Sequence, residues 1–368
     1  MHPTDVRPAR EPAPAPARTA RRRPRGLLAL AAALCGLASA GLTYLGLTEL
    51  TTPSFPPAMT APAPASVSPA AGTTTAGPAR LGAVSWPADG SSAADISGVG
   101  LVTGPGATRP VPIASVAKLM TAYLILHDHP LPAGGPGPDI TVQPSEAAAY
   151  PAQVRDGDSL VPVTAGETLT ERQALTALLL PSADNMAWIL ARWDAGSQAA
   201  FVARMNATAQ RLGLTGTRYT DPSGLDQSTT STAADQVRLG AAAMRVPALA
   251  AITALPTAVV PVAGVVRNTN TLLGQDGIVG LKTGSTQAAG GCVLVAAWSQ
   301  AGGRRTLIVA ATFGQPGSAR TILPHALQAG QATVLALNRA LGASASAGAG
   351  AATGPGAGPG QPMPVTSP

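Results

Sequence analysis

Apolar residues recur at helical spacing through the middle of the chain and form continuous runs toward its C-terminal end. From residue 119 to residue 126 they repeat on one helical face, and Pro130 ends the pattern, which predicts a helix. Two more helical stretches flank a polar connection at 181–184, and two apolar runs separated by Ala301-Gly302-Gly303 predict a β-hairpin. The further helices are expected over 171–180 and 186–193, and the hairpin strands over 293–298 and 306–311.

An uncharged apolar segment, residues 26–48, stands apart from these elements. As a helix it would span about 34 Å, enough to cross the hydrocarbon core of a bilayer. The Arg-rich arm before it, residues 1–25, places that end in the cytoplasm. The prediction is a single-pass membrane anchor. Ala38-Ser39-Ala40 also fits a signal-peptide cleavage site, so secretion after cleavage at Ala40 is the alternative, and both export the rest of the chain.

Composition divides the remainder into a spacer, a body and a tail. Residues 49–80 are rich in Pro, Ala and Thr and cannot bury enough apolar surface to fold, which predicts an extended linker. Residues 342–368 are uncharged and rich in Gly, Ala and Pro, which predicts a disordered tail. Residues 81–341 are left as one large folded domain.

Charge and cysteine usage narrow the function classes. Of the formal net charge of +6, the arm at 1–25 supplies +5, from seven Arg against Asp5 and Glu11. The rest is near neutral, which argues against a nucleic-acid partner. Cys35 lies in the apolar segment and Cys292 in a predicted strand, so the two are not expected to pair. Cys292 is interpreted as a small buried hydrophobe and not as a nucleophile.

Lysine usage directs attention to two positions. Of 24 basic residues only Lys118 and Lys282 are lysine, and all the others are arginine. Arginine stays protonated, whereas a desolvated lysine can lose its proton and act as a base. Lys118 follows Ser115 by three residues, which places both side chains on one face near a helix start. This spacing suits a serine nucleophile activated by a lysine, although Ser-x-x-Lys alone is a weak signal.

Two other short motifs carry candidate chemistry. Lys282-Thr283-Gly284-Ser285 lies on or just before a strand edge, where a cation and a hydroxyl can bind a carboxylate. Gly284 would allow another backbone to come close. Ser182-Ala183-Asp184-Asn185 lies in the connection between two predicted helices, and in isolation it is typical of a helix N-cap.

Together the three motifs resemble those of the D-alanyl-D-alanine carboxypeptidase family, the low-molecular-mass penicillin-binding proteins. Ser-x-x-Lys is followed by Ser-x-Asp 67 residues later and by Lys-Thr-Gly a further 100 residues on, in the order found in these proteins and in serine β-lactamases. The resemblance covers about residues 85–340. It extends beyond the motifs to the segments at 112–123, 220–225 and 277–284.

The resemblance implies a fold and a set of roles. The fold would be α+β, an antiparallel sheet flanked by helices with the site in a cleft beside a helical region. Ser115 would be the nucleophile, Lys118 its base and Ser182 a proton relay. Lys282 and Thr283 would hold the substrate carboxylate, and the backbone N–H groups of Ser115 and Ser285 would form the oxyanion hole. Catalytic roles are thus expected for Ser115, Lys118 and Ser182, and substrate contacts for Asp184, Asn185, Lys282, Thr283, Gly284 and Ser285.

The chain departs from the family pattern at Asp184, where asparagine is usual. An ionised Asp184 could pair with Lys118 or Lys282 and slow acylation, or Asn185 could turn into the site instead. We expect the substitution Asp184→Asn to preserve or raise activity.

Three functions follow from the resemblance. The first is a monomeric carboxypeptidase that needs no metal or cofactor, trims peptidoglycan stem peptides and binds β-lactams. The alternatives are a catalytically weak peptidoglycan-binding protein and, less favoured without an E-x-x-x-N segment, a β-lactamase. His127-Asp128-His129 at a helix end is interpreted as a solvated terminus, Glu171 and Arg172 as a surface pair, and 221–224 as a turn.

Overall fold

The computed structural model describes residues 81–132 and 134–351. The predicted arm, anchor and cleavage site lie outside these residues, as does the linker up to residue 80. Within the described part of the chain, no helix is both long and apolar enough to span a membrane.

The secondary structure alternates between helices and short or long strands. The strands are β1 (Ser91–Ile96), β2 (Gly100–Thr103), β3 (Val111–Pro112), β4 (Asp139–Thr141), β5 (Thr168–Thr170), β6 (Thr230–Ser231), β7 (Thr257–Val260), β8 (Gly264–Arg267), β9 (Ile278–Thr286), β10 (Gly290–Ser299) and β11 (Thr306–Gln315). The helices are α1 (Lys118–Asp128), α2 (Pro144–Asp156), α3 (Glu171–Leu179), α4 (Asp184–Ala195), α5 (Gln198–Arg211), α6 (Ala233–Ala243), α7 (Pro247–Thr253) and α8 (Ile322–Ala351).

A five-stranded antiparallel sheet forms the centre of the fold, in the order β2-β1-β11-β10-β9. The predicted hairpin is confirmed: β10 pairs with β11, and its inner residues are buried on both faces. Val293 and Val295 pack toward α8, whereas Leu294 and Ala296 face the helical region, as alternation along a strand requires. The sheet therefore lies between two apolar layers, which confirms the α+β class.

The helical region is arranged around α1, whose residues from Lys118 to Ala122 are all buried. The predicted helices at 171–180 and 186–193 are confirmed as α3 and α4. Helix α3 begins with a capping box in which Thr170 and Gln173 satisfy each other's backbone N–H groups. It ends three residues before Ser182, so the middle motif begins in the connection between α3 and α4.

The last helix runs past the domain boundary predicted at residue 341. Helix α8 continues to Ala351, ten residues into the segment expected to be a disordered tail. Alanine has the highest intrinsic helix propensity, so an Ala-rich sequence can extend a helix that is already docked on the sheet. Residues 352–368 lie outside the described part.

The expected surface pair of Glu171 and Arg172 is also wrong. Glu171 is fully buried, and neither of its carboxyl oxygens has a hydrogen-bond partner among the described residues. Its backbone N–H donates to Pro138, and Gly137 lies directly over the carboxyl group, while Arg172 donates to the carbonyl of Gly135. This burial raises the pKa of Glu171 to about 7, with Arg172 acting weakly in the opposite direction.

This buried carboxyl predicts that stability depends on pH. The native state holds the Glu171 proton up to about pH 7, against an ordinary pKa of 4.5, so this group reduces the free energy of unfolding as pH rises from 4.5 through 7. Glu171→Gln cannot ionise, and its advantage over the wild type should therefore grow between pH 5 and pH 8 in urea unfolding. Asp139→Asn, at an exposed acid nearby, is the control. Parallel pH profiles for Glu171→Gln and the wild type would contradict the expectation.

Candidate active site

The three motif segments meet in a cleft between β9, an outer strand of the central sheet, and the start of α1. Ser115 lies in one turn of 3-10 helix, Ala114–Ala117, which leads directly into α1. Ala114 has a φ of 47°, a left-handed conformation that is unusual for a residue with a side chain. The turn leaves Ser115 partly exposed while Lys118 beneath it is completely buried.

Lys118 is surrounded by three hydrogen-bond acceptors. Its Nζ donates to Ser115 Oγ at 2.7 Å, to Asp184 Oδ1 at 2.6 Å and to the Ser223 carbonyl at 3.0 Å. An ammonium group has three protons, so this arrangement satisfies all of them. The predicted contact between Ser115 and Lys118 is therefore present in the structure.

Burial and charge act in opposite directions on Lys118. Removal from water lowers the pKa of Lys118 below its usual value, and the adjacent Asp184 carboxylate partly reverses this change. Lys118 therefore loses its proton more readily than an exposed lysine does, and the resulting neutral amine can accept a proton from a serine. Among the neighbouring groups, Asp184 most strongly favours the protonated form of Lys118.

The structure shows whether Asp184 or Asn185 enters the site at the place where the family usually has asparagine. Asp184 faces Lys118, and its second oxygen accepts a hydrogen bond from the Ser159 backbone N–H at 3.0 Å. Asn185 points away from the cleft, because its amide accepts from the Val161 N–H and donates to the Val161 carbonyl. The motif aspartate, and not the neighbouring asparagine, therefore enters the site.

Ser182 lies across the cleft beside the second lysine. Its backbone has a φ of 67°, and its Oγ accepts a hydrogen bond from Lys282 Nζ at 2.9 Å. Lys282 is almost fully buried and also donates to the carbonyl of Thr283. Burial lowers the pKa of Lys282 well below its usual value, and the positive charge of Lys118 lowers it further. Ser182, which was expected to act near Lys118, therefore lies beside Lys282 and has no direct hydrogen bond to Lys118 among the described residues.

The Lys-Thr-Gly segment forms the sheet side of the cleft. Thr283 shares a hydrogen bond with Thr269 at 2.6 Å, and Ser285 is exposed at the end of the strand. Gly284 lies against the nucleophile turn, where a Cβ atom would stand 2.9 Å from the Ser115 nitrogen and 3.0 Å from the Ile113 carbonyl. The expected close approach of two backbones therefore occurs at Gly284.

Three contributors to the site have no motif of their own. Ser159 holds Asp184, Thr269 contacts Thr283, and the carbonyl of Ser223 accepts from Lys118. The composition of 221–224 predicted a turn, and the family resemblance placed this turn near the site. The hydrogen bond from Lys118 to the Ser223 carbonyl agrees with that placement. No local signal in the sequence marks Ser159 or Thr269, because both act through contacts that are distant along the chain.

The remaining candidates carry other roles. Cys292 is buried, and burial raises the pKa of its thiol to about 12, consistent with an inert core residue. His129, at the end of α1, stacks on Trp193 and bonds to Asp194 at 2.9 Å, so the expected solvated terminus is partly packed. No group of three or more potential metal-ligating side chains (His, Cys, Asp or Glu) occurs in the part of the chain that the structure describes.

A partly exposed serine over a buried lysine, facing a Lys-Thr-Gly strand, defines the class of active-site serine proteins of the penicillin-recognising type. More particularly, the chain belongs to the D-alanyl-D-alanine carboxypeptidase family, peptidase family S11, whose family model matches residues 100–314.

Individual relatives agree with this assignment. The chain is 42% identical over 161 residues to the D-alanyl-D-alanine carboxypeptidase DacB2 of Mycobacterium tuberculosis, covering 42% of this chain and 54% of that protein. It is 35% identical over 192 residues to a D-alanyl-D-alanine endopeptidase of Pseudomonas aeruginosa, covering 50% and 59% respectively. The chain therefore matches little more than half the length of these two curated relatives.

The solved structures confirm the fold. The crystal structure of a D-alanyl-D-alanine carboxypeptidase from Mycobacterium tuberculosis H37Rv is similar with a TM-score of 0.56 at 30% identity. The similarity covers 76% of this chain and 96% of that structure.

The close approach at Gly284 predicts a strong effect of one methyl group. Gly284→Ala places a Cβ against the backbone of Ser115 and Val116, which cannot yield as a flexible side chain would. Displacing the nucleophile by a fraction of an ångström should slow its acylation by penicillin by about tenfold or more. Gly82→Ala, where a Cβ would make only ordinary contacts, is the control. An unchanged acylation rate in Gly284→Ala would show that the turn does not depend on this contact.

The ion pair of Lys118 and Asp184 predicts a shift in pH dependence. Asp184→Asn removes the carboxylate charge that favours the ammonium form of Lys118. Burial then acts with less opposition, and the pKa of Lys118 falls further. If the neutral amine accepts the Ser115 proton, the acidic limb of the acylation rate moves to lower pH, and the rate at pH 7 is preserved or raised. Stopped-flow acylation by penicillin across pH checks this, with Asp89→Asn at an exposed acid as control. A large loss of acylation rate in Asp184→Asn would refute it.

Proposed function

We propose that this chain is a serine-type D-alanyl-D-alanine carboxypeptidase that removes the terminal D-alanine from peptidoglycan stem peptides. The observation that carries the proposal is the 2.7 Å contact between Ser115 Oγ, which is reachable from the cleft, and the buried Nζ of Lys118. Membership of the D-alanyl-D-alanine carboxypeptidase family supports it.

Acylation begins when Ser115 Oγ attacks the carbonyl carbon between the two terminal D-alanines. The neutral amine of Lys118 accepts the hydroxyl proton, and the carbonyl oxygen takes up the developing negative charge. The backbone N–H groups of Ser115 and Ser285 stabilise that charge, a contribution typically worth about 3 kcal/mol per donor. The Gly284 contact supports this pairing because it brings the two backbones together.

The substrate carboxylate is held by Lys282 and Thr283 at the sheet side of the cleft. In its protonated form, which an incoming carboxylate favours, Lys282 uses two of its three protons among the described residues, on Ser182 and on the Thr283 carbonyl. One proton then remains for the anion. The Thr283 hydroxyl adds a neutral donor. A site for a terminal carboxylate favours substrates that end in a free D-alanine.

The leaving amine needs a proton before it departs. Ser182 Oγ is hydrogen-bonded to Lys282 and lies at the same end of the cleft, so it is the group proposed to deliver that proton. As Ser182 delivers its proton, it takes up the proton that Lys118 accepted from Ser115, which leaves Lys118 neutral. Water then attacks the acyl carbon, Lys118 accepts a proton from this water, and it returns that proton to Ser115 Oγ as the ester bond breaks. Each step uses side chains of this chain and water.

The endopeptidase reaction is the nearest variant of this proposal. It uses the same chemistry but cleaves a D-alanine bond in a cross-linked peptide, and the printed names of the relatives include both activities. A catalytically weak peptidoglycan-binding protein is the second candidate, and the 2.6 Å pair of Lys118 and Asp184 favours it because that pair retains the Lys118 proton.

One experiment separates these functions. We expect intact-mass measurement after penicillin treatment to show one stable adduct on the wild type and none on Ser115→Ala. The enzyme should then release free D-alanine from a stem peptide ending in D-alanyl-D-alanine. Cleavage of a cross-linked dimer without release of D-alanine identifies an endopeptidase, absence of the adduct identifies a binding protein, and rapid loss of the adduct identifies a β-lactamase.

We also propose that the catalytic domain works outside the cytoplasm as a monomer, tethered through residues 26–48 and the linker at 49–80. The apolar length of 26–48 and the Arg-rich arm before it support this placement. The same intact-mass measurement on protein isolated from cells gives the true N-terminus, and a mass beginning after Ala40 would replace the anchor by a cleaved signal peptide.

A further inference from the structure

A single carboxylate, that of Asp221, accepts five hydrogen bonds in the loop between α5 and α6. Its Oδ2 accepts from the backbone N–H groups of Ser223 at 3.1 Å, Gly224 at 2.8 Å and Leu225 at 3.1 Å, and from the Ser223 hydroxyl. Its Oδ1 accepts from the Thr229 hydroxyl at 2.7 Å. One side chain thus sets the course of the loop from 221 to 225.

The loop contacts α1 at two points one helical turn apart. The Ser223 carbonyl accepts from Lys118 Nζ at 3.0 Å, and the Pro222 carbonyl accepts from Thr121 Oγ1 at 2.6 Å. The three acceptors of Lys118 therefore come from three separate segments, and the loop supplies the only one that is a backbone carbonyl among the described contacts.

The loop is also pressed against the residue before the nucleophile. Gly224 has a φ of 81°, and a Cβ atom there would stand 1.9 Å from the Ala114 carbonyl oxygen. Ala114 itself has a left-handed conformation. A change in the loop would therefore be transmitted both to Lys118 and to the turn that carries Ser115.

Four charged groups surround Lys118. Asp184 on α4 is in contact with it, Asp158 approaches from the segment after α2, Asp221 from the loop, and Lys282 faces it from β9. The three carboxylates all raise the pKa of Lys118 against the effect of burial, with Asp184 the largest contributor. Asp221 differs from the other two because its charge is coupled to a carbonyl that bonds to Lys118.

We propose that Asp221 is a positioning residue for acylation, holding the Ser223 carbonyl on Lys118 and so fixing the direction in which the Lys118 amine points. The inference rests on the proposed acylation of Ser115. Asp221 does not touch the reacting atoms and acts through the loop. Its negative charge has a second effect, because it favours the ammonium form of Lys118.

Two substitutions separate geometry from charge. In Asp221→Asn the carboxamide oxygen can accept the four donors from 223–225. The NH₂ group would face the Thr229 hydroxyl, whose oxygen already accepts from the backbone N–H groups of Thr220 at 3.0 Å and residue 221 at 3.3 Å, so only the fifth hydrogen bond is weakened. The loop is kept while the charge is removed. Asp221→Ala removes both. Asp226→Asn is the matched control, since Asp226 lies in the same loop, is exposed and contacts Ser228 instead of α1.

The lysine content of the chain allows a direct measurement. Protein labelled with ¹³C and ¹⁵N in lysine gives side-chain NMR signals from Lys118 and Lys282 only, and the Lys282→Arg variant assigns them. The titration of Lys118 is then followed in parallel with the rate of Ser115 acylation by penicillin across pH.

We expect Lys118 to titrate at lower pH in Asp221→Asn, with the acidic limb of acylation moving in the same direction and the maximal rate within about threefold of wild type. In Asp221→Ala the maximal rate should fall about tenfold or more, because the base is no longer oriented. Asp226→Asn should match the wild type in both measurements.

Three results would overturn the inference. One is an unchanged titration of Lys118 in Asp221→Asn. The other is wild-type acylation in a folded Asp221→Ala protein. A lower melting temperature in both variants without any change in the Lys118 titration shows a purely structural role and also overturns it. If the wild type takes up no penicillin, the proposed function has failed, and the NMR titration still tests whether Asp221 acts on Lys118.

Discussion

The burial of one amine is the constraint on which the active-site half of the molecule depends. A lysine nitrogen removed from water is stabilised by each acceptor that its protons meet, because an unmatched polar group in the interior costs several kcal/mol. Ser115, Asp184 and Ser223 supply those acceptors from the turn before α1, the start of α4 and the loop before α6. The three segments must therefore reach the same point before Lys118 can be enclosed.

Backbone strain is concentrated around the same point. Ala114 and Ser182, two of the four non-glycine residues with positive φ among those described, stand next to the nucleophile and beside Lys282. Such conformations persist only where the surrounding structure imposes them. Here β9 approaches the turn through Gly284 on one side and the 221–225 loop approaches it through Gly224 on the other. The close packing at Gly284 and Gly224 therefore holds the turn in its strained conformation.

Local patterns predicted much of the fold, and the order of the motifs predicted which residues meet. The β10–β11 hairpin, the helices α1, α3 and α4, and the contact between Ser115 and Lys118 all follow from periodicity or from spacing within one helix. The choice between Asp184 and Asn185 could not be made in this way. It depends on Val161, which occupies the Asn185 amide, and on Ser159, which holds Asp184, and both belong to a distant segment.

The same limit explains two further differences between the local sequence pattern and the structure. By its sequence position Glu171 is expected to be solvent-exposed at a helix start, and residues 136–138, which pack against it, make it a buried one. The length of α8 depends on its docking against the sheet, which no window of Ala and Gly residues can reveal. Tertiary contacts thus bury Glu171, and in α8 they add to the helix propensity of alanine.

The near-absence of lysine has a consequence for the chemistry of the protein surface. Both lysines lie in the cleft with at most 1% of their area exposed, and arginine provides the other basic side chains. Reagents that modify lysine amines therefore find no exposed lysine on the molecule as the structure shows it. Covalent labelling of a lysine would therefore require the cleft to open, and it would mark one of the two amines proposed to act in the site.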